Sequence, residues 1–329
     1  MNNHFAKKAL SAVCAVVLLA AAVMTLFPGA LAEQYRTGDA EISAAVRNLD
    51  INWTSGKVNI AYHSGNNILI SEKTSGFISG DMRMRWRVDG DTLRIEYNQP
   101  GFHLFSILPH EKELTVILPD GLTLTEANIS TTSADMSIPA LYADRVKIKS
   151  TSGDVRAAVN ARSIQSKLTS GDIELQVMHA AEEITIESTS GDITLIAAGT
   201  KDKTAIDTTS GTIHAAVKQT KEFKAKSTSG DIQAVIGSAQ KTEVKSVSGK
   251  VTVEIADMEA LDIHTTSGDV TAYLPAAPGF TARFQSTSGR ITHQLPLTKQ
   301  GKDDIAGDGS GSVKIHTTSG NITVCANES

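Results

Sequence analysis

Thr189-Ser190-Gly191-Asp192-Ile193-Thr194-Leu195 is the segment from which the architecture follows, because its first four residues return along the chain at a nearly fixed interval. Full copies stand at Thr151-Ser152-Gly153-Asp154, Thr169-Ser170-Gly171-Asp172, Thr228-Ser229-Gly230-Asp231 and Thr266-Ser267-Gly268-Asp269. Degenerate copies place Ala134, Gly211, Gly249, Gly289 and Gly320 at the glycine position, with steps between copies of 19, 18, 20, 20, 19, 19, 19, 21 and 31 residues. A period near 20 is the mark of a solenoid, in which each unit buries its apolar face only by stacking on its neighbours.

Counted from the glycine, position +2 is apolar in every copy, from Met136 and Val155 through Ile193 and Ile232 to Ile291 and Ile322. Position +6 is equally apolar (Val159, Val177, Val217, Leu274) and +4 mostly so, with His293 as the odd member. This period of two is a strand with one buried face. A second apolar set lies at −5 (Ile148, Ile186, Ile206, Val244, Ile263). Seven steps separate −5 from +2, and on one straight strand an odd separation points the two sets to opposite faces. The chain therefore turns between them. Gly153, Gly171, Gly191, Gly211, Gly230, Gly249, Gly268, Gly289 and Gly320 are the expected corner residues, since glycine reaches positive φ without steric cost. The unit is too short for a crossover helix. The expected fold is all-β: a single-chain parallel β-helix of about ten 19-residue rungs, with rungs about 4.8 Å apart.

Three regions follow. Lys7 and Lys8 precede an apolar run over 9–27 and then Ala30-Leu31-Ala32, so residues 1–32 read as a signal peptide or, uncleaved, an N-terminal membrane anchor. Residues 33–125 are β-rich and irregular, the expected cap of the solenoid, with Leu49 to Val58 as an early divergent rung. Residues 126–329 carry the repeats and form one continuous domain with that cap. The step before Gly320 holds Gly307-Asp308-Gly309-Ser310-Gly311, a loop signal.

The 329 residues carry a net charge of −5, and without Lys7 and Lys8 there are 29 basic residues against 36 acidic ones, or about −7. That balance argues against nucleic-acid binding. Cys325, the only cysteine left after cleavage at Ala32, reads as a small buried hydrophobe, with an intermolecular disulfide as the alternative. The +1 column of Asp135, Asp154, Asp172 and Asp192 suggests Ca²⁺, but that ion wants six to eight oxygens converging on a point and the column supplies a line. The reading preferred here is that each Asp bonds N–H groups at its own corner, with no metal and no cofactor. His264 and His316 share position −4, yet Gln285 intervenes, so they are not expected to be neighbours. Arg83, Arg85 and Arg87 alternate with Met84, Trp86 and Val88, a candidate interaction patch with three guanidinium groups on one face. The alternative is that these arginines are solvated or paired locally. Phe102 to Leu108 is the most apolar stretch of the exported part and reads as core of the cap, with an exposed interaction surface as the alternative.

From Leu114-Thr115-Val116-Ile117-Leu118-Pro119 into the repeats, and again from Tyr273-Leu274-Pro275 to Thr318-Ser319-Gly320-Asn321-Ile322, the chain resembles a bacterial family of unknown function usually labelled putative adhesin. The resemblance covers about residues 42 to 325. It implies a surface protein, in some members membrane-anchored and linked to envelope stress, and supplies no catalytic residues. No H-E-x-x-H, G-x-S-x-G or phosphate-loop motif stands in the sequence. The expected function is an exported, non-enzymatic module, cell-surface or secreted, binding an envelope polymer, a lipid surface or a protein, with membrane contact through 9–27 if uncleaved. The alternatives are a polysaccharide lyase or hydrolase on a β-helix, for which only Asp303, Asp304 and Asp308 lie in an insertion, and a passive spacer.

Overall fold

The computed structural model describes residues 35–75, 82–97, 112–275, 277 and 279–327. The export segment 1–32 and the Phe102 to Leu108 stretch lie outside the described residues. Among the described residues the chain is all-β, no helix is long and apolar enough to cross a membrane, and the repeats form a parallel β-helix.

Successive copies pair in parallel and in register, apart from shifts between Ile138 and Leu141 and between Ala181 and Glu183. Ile173 pairs with Val155 on one side and Ile193 on the other, and the same column continues through Ile213, Ile232, Val251 and Val270. From Met136 to Val270 these side chains are 0–2% exposed. The burial pattern along Ile213–Ser229 shows both inward sets: Ile213, Ala215 and Val217 on one wall, Thr220, Phe223, Ala225 and Ser227 on the other. At the corner two successive residues, Thr228 and Ser229, face out, which is where the parity changes.

The corner glycines are required by contact more than by conformation. A Cβ on Gly153 would lie 2.4 Å from the Ala134 carbonyl oxygen, and on Gly171, Gly191 and Gly211 it would lie 2.1–2.4 Å from the carbonyl oxygen of the preceding corner glycine. Those four residues do have left-handed φ (Gly191, +119°). Gly230, Gly249, Gly268, Gly289 and Gly320 do not, yet their contacts are as short, at 1.9–2.2 Å. The positive-φ argument therefore holds for only part of the column. What all nine share is glycine backbone lying directly on backbone.

The spatial order of the copies departs from their sequence order. Gly311–Thr317 pairs with Ala260–Thr265 on one side and with Phe280–Ser286 on the other. Ile322 likewise sits between Val270 and Ile291. The last copy in the chain is thus interposed between the Gly268 and Gly289 copies, and the Gly289 copy ends the stack. This explains its irregular residues: Ile291 is 38% exposed although it occupies the otherwise buried +2 position, and His293, in an apolar column, is exposed as well. The long step before Gly320 contains the antiparallel strands Thr298–Gln300 and Asp303–Gly307, the second of which covers Gly279–Ala282.

At the other end, Asn48–His63 stacks on the Ala134 copy with Gly56 opposite Ala134, which is the early rung read from the sequence. Beyond it lie Thr92–Glu96 and Lys112–Pro119, each parallel to one half of Asn48–His63. Antiparallel strands Ile68–Thr74 and Arg85–Asp89 close over those two.

Candidate functional site

The exposed surface is assembled by the same register that builds the core, so each outward position becomes a column. In the +1 column the amide N–H of Asp154 donates to Oδ1 of Asp135 (3.0 Å), that of Asp172 to Asp154 (2.9 Å), that of Asp192 to Asp172 (2.8 Å) and that of Thr212 to Asp192 (2.7 Å). Each carboxylate thus serves the next copy's corner, not its own. Asp231 does the same for Lys250, and Asp269 for Asn321, whose Oδ1 accepts from Arg290. The column borders a shallow groove of 640 Å³ that also includes Arg156 and His214. With Oδ1 of each Asp committed to an amide, the row offers one outward oxygen per copy in a line. Among the described residues no group of three or more His, Cys, Asp and Glu side chains is placed to hold a metal ion. Asp172→Asn preserves an acceptor and is expected to be close to neutral, whereas Asp172→Ala should cost about 1–2 kcal/mol by orphaning the Asp192 amide. Equal losses for the two variants in denaturant melts would show that charge, not the hydrogen bond, matters there.

On the same wall, position +5 places Ile196, Ala216 and Val235 side by side, and farther along Tyr273 beside Cys325. Ile196, Val235 and Tyr273 are 51%, 40% and 36% exposed. Cys325 is half-buried at this outward position rather than buried, because the inward place on its strand belongs to Val324. Position +3 lines up Thr252, Thr271, Thr323 and Thr292, in the order that the interposed last copy sets.

The opposite wall carries alternating charges. Lys167 bonds Glu187 (2.6 Å), and hydrogen bonds from Lys224 and Lys245 hold the carboxyls of Glu222 and Glu243 below the usual carboxylate range. Exposed pairs of this kind contribute little to stability and chiefly keep the sheet face soluble. His264 and His316 also lie on this wall. Contrary to the expectation from sequence, they are immediate neighbours, with rings stacked at 4.7 Å between centroids, since the Gln285 copy lies outside the His316 copy.

The arginine trio behaves unevenly. Met84 and Trp86 are buried as the alternation requires. Arg85 is itself 9% exposed, bonded to Glu96 at 2.6 Å, and shares the face of Tyr35 with Arg87, their guanidinium carbons 4.6 and 4.8 Å from the ring centroid. Arg87 lies 3.7 Å from Asp89. Arg83 precedes the strand, and its side chain is 42% exposed beside Asp39. The structure thus brings Arg85 and Arg87 together as a partly buried cluster and leaves Arg83 the most open of the three.

One site escaped the sequence reading. Lys112 and Glu72 form an ion pair of 2.9 Å with side chains 2% and 0% exposed. Lys112 also donates to the carbonyl oxygens of Met82 and Tyr97 and lies 4.3 Å from the Tyr97 ring centroid, while the Met84 N–H donates to the second Glu72 oxygen. The signal was present in the alternation. Lys112 shares parity with Leu114, Val116 and Leu118, and Glu72 with Ile68 and Ile70, so both point inward. So dry a pair is tolerated because each remaining polar atom finds a partner.

A family profile described as Toastrack DUF4097 matches residues 79–222 and again 160–325. Solved structures similar to the chain include a putative adhesin from Parabacteroides merdae (14% identity, 90% of this chain and 97% of that one, TM-score 0.35) and a putative adhesin from Bacteroides fragilis (13%, 90% and 98%, 0.30). A putative lipid binding protein from Parabacteroides distasonis is similar over 88% of this chain and 97% of its own (13% identity, TM-score 0.40). No curated protein matches.

Proposed function

Since the chain belongs to the Toastrack DUF4097 family, a putative-adhesin family of unknown function, we propose that it is an exported, non-enzymatic module that binds a component of the cell envelope along the flank of a rigid rod. In this reading residues 1–32 direct export, and residues 9–27 hold the protein at the membrane where they stay uncleaved. Residues 33–125 cap one end, and the repeats of 126–329 form one continuous domain of about ten rungs with that cap.

The observation that carries the proposal is the outward +5 column. Ile196, Ala216 and Val235 sit on adjacent copies of an in-register wall, so equivalent contacts recur at a spacing of about 4.8 Å. Contacts that are individually weak then act together, and a stiff rod loses little entropy on engaging them. The corners, with outward Thr and Ser in successive copies, border this wall, while the arginine trio, Arg83 foremost, offers a second contact at the cap end, over the opposite wall.

Ile196→Gln combined with Val235→Gln tests this, because Gln176 already occupies the column one copy before Ile196 and the fold accepts that side chain there. The double variant is expected to melt with the wild type and to co-sediment with isolated envelopes about tenfold less. Separate arms with wall fragments and with lipid vesicles distinguish the envelope components. Undiminished sedimentation of the double variant would remove this wall from the binding surface.

A further inference from the structure

We infer that His264 and His316 form a site for a divalent transition-metal ion of the zinc, nickel and copper class, bound between two copies that are distant in sequence. His264 lies on Val251–Ser267 and His316 on Gly311–Thr317, paired directly across one parallel step. Their rings are stacked with centroids 4.7 Å apart and planes at 29°. Both belong to the outward −4 column. His264 is exposed and His316 half-buried.

Imidazole is the side chain that zinc, nickel and copper select, at metal–nitrogen distances of about 2.0–2.1 Å. Two such bonds span nitrogens about 3–4 Å apart. Rotating each ring about its broad χ2 torsion closes a stack of this size into that arrangement without moving the backbone. The surroundings leave the pair accessible. Lys245 pairs with His264 on the side away from His316, and its ammonium is engaged by Glu243. Gln285 flanks His316 on the far side. Asp262 and Lys314 stand two residues before the histidines on the same wall, paired with each other in register. With two imidazoles and water completing the coordination, the site suits a borderline-soft ion that exchanges. It does not suit Ca²⁺ or Mg²⁺, which demand oxygen ligands.

The location gives such a site a consequence. The Gly311–Thr317 strand belongs to the last copy of the chain and is threaded between two earlier ones, so a metal held by His264 and His316 clips it to one neighbour. The two ligands come together only in the folded stack, so binding adds to its stability.

The test uses the full chain without an affinity tag and Zn²⁺ as the probe. Wild type is expected to bind Zn²⁺ in calorimetric titration, to melt higher in its presence, and to show slower amide exchange over 311–317. His264→Gln and His316→Gln should each weaken binding at least about tenfold and abolish the melting shift. Glutamine already stands in this column at Gln285, so neither variant disturbs the fold. His214→Gln, on the opposite wall, should change none of these readings. Zinc affinity equal in wild type and either −4 variant, or a loss as large in His214→Gln, would overturn the assignment.

Discussion

Replacing Gly191 by alanine is expected to cost about 3–5 kcal/mol and to lower the melting temperature by roughly 10 °C. The added Cβ would stand 2.1 Å from the Gly171 carbonyl oxygen, far inside van der Waals contact, and both sides of that contact are backbone held by ladder hydrogen bonds. Relief therefore means separating two in-register copies, which loosens the packing of Ile193 on Ile173. A left-handed φ of +119° adds the ordinary penalty for a β-carbon. Gly249→Ala separates the two causes. Its φ is not left-handed, but its Cβ would lie 2.1 Å from the Gly230 carbonyl. If close backbone approach governs the column, Gly249→Ala is nearly as damaging as Gly191→Ala; if conformation governs it, Gly249→Ala costs less than about 1 kcal/mol. Thermal melts of the two variants decide between them.

Why the glycine was legible and its reason was not is a matter of what a period contains. Spacing showed that each unit returns to a corner residue, nearly always glycine, and the parity jump from Ile186 to Ile193 located that corner. Neither reveals what lies on the far side of that corner, because the Gly171 carbonyl over Gly191 is a relation between copies. The same limit hid the Asp ladder: Asp172 was assigned to its own turn, while its carboxylate accepts from the turn above. Inward-facing residues were mostly readable from parity; the Lys112 and Glu72 pair was not read, although its parity was as plain as that of its apolar neighbours. The arginine trio was half readable. Alternation buried Met84 and Trp86, but Arg85 is drawn inward by Tyr35 and Glu96 from separate parts of the chain. Order along the stack was not readable, since a repeat defines the unit and leaves the sequence of stacking to the connections. His293, polar in an otherwise apolar column, and the 31-residue step were the cues that the Gly289 copy stands at an end.

Deleting residues 311–329 is expected to unravel more than it removes. In a stack laid down in chain order, loss of the last copy would expose one wall of its predecessor and leave that predecessor folded. Here the Gly289 copy rests on the deleted one: Phe280–Ser286 pairs with Gly311–Thr317, Ile291–His293 with Ile322–Val324, and the Arg290 amide donates to Asn321. The deleted segment also contributes Val313, Ile315, Ile322 and Val324, each 0–1% exposed, or about 6–12 kcal/mol of apolar burial at the end of the rod. Amide exchange in the truncated chain should therefore rise to unprotected rates over 279–293, while 213–267, whose pairing partners all remain except along one edge, keeps its protection. Native protection at 279–293 would mean that this copy settles directly onto Val270, and that the interposed strand fills a gap the chain can close without it. Loss confined to 279–293 means instead that the terminal copy is joined to the rest of the stack by a strand that enters after it in the chain, so the end of the rod is completed by insertion rather than by addition.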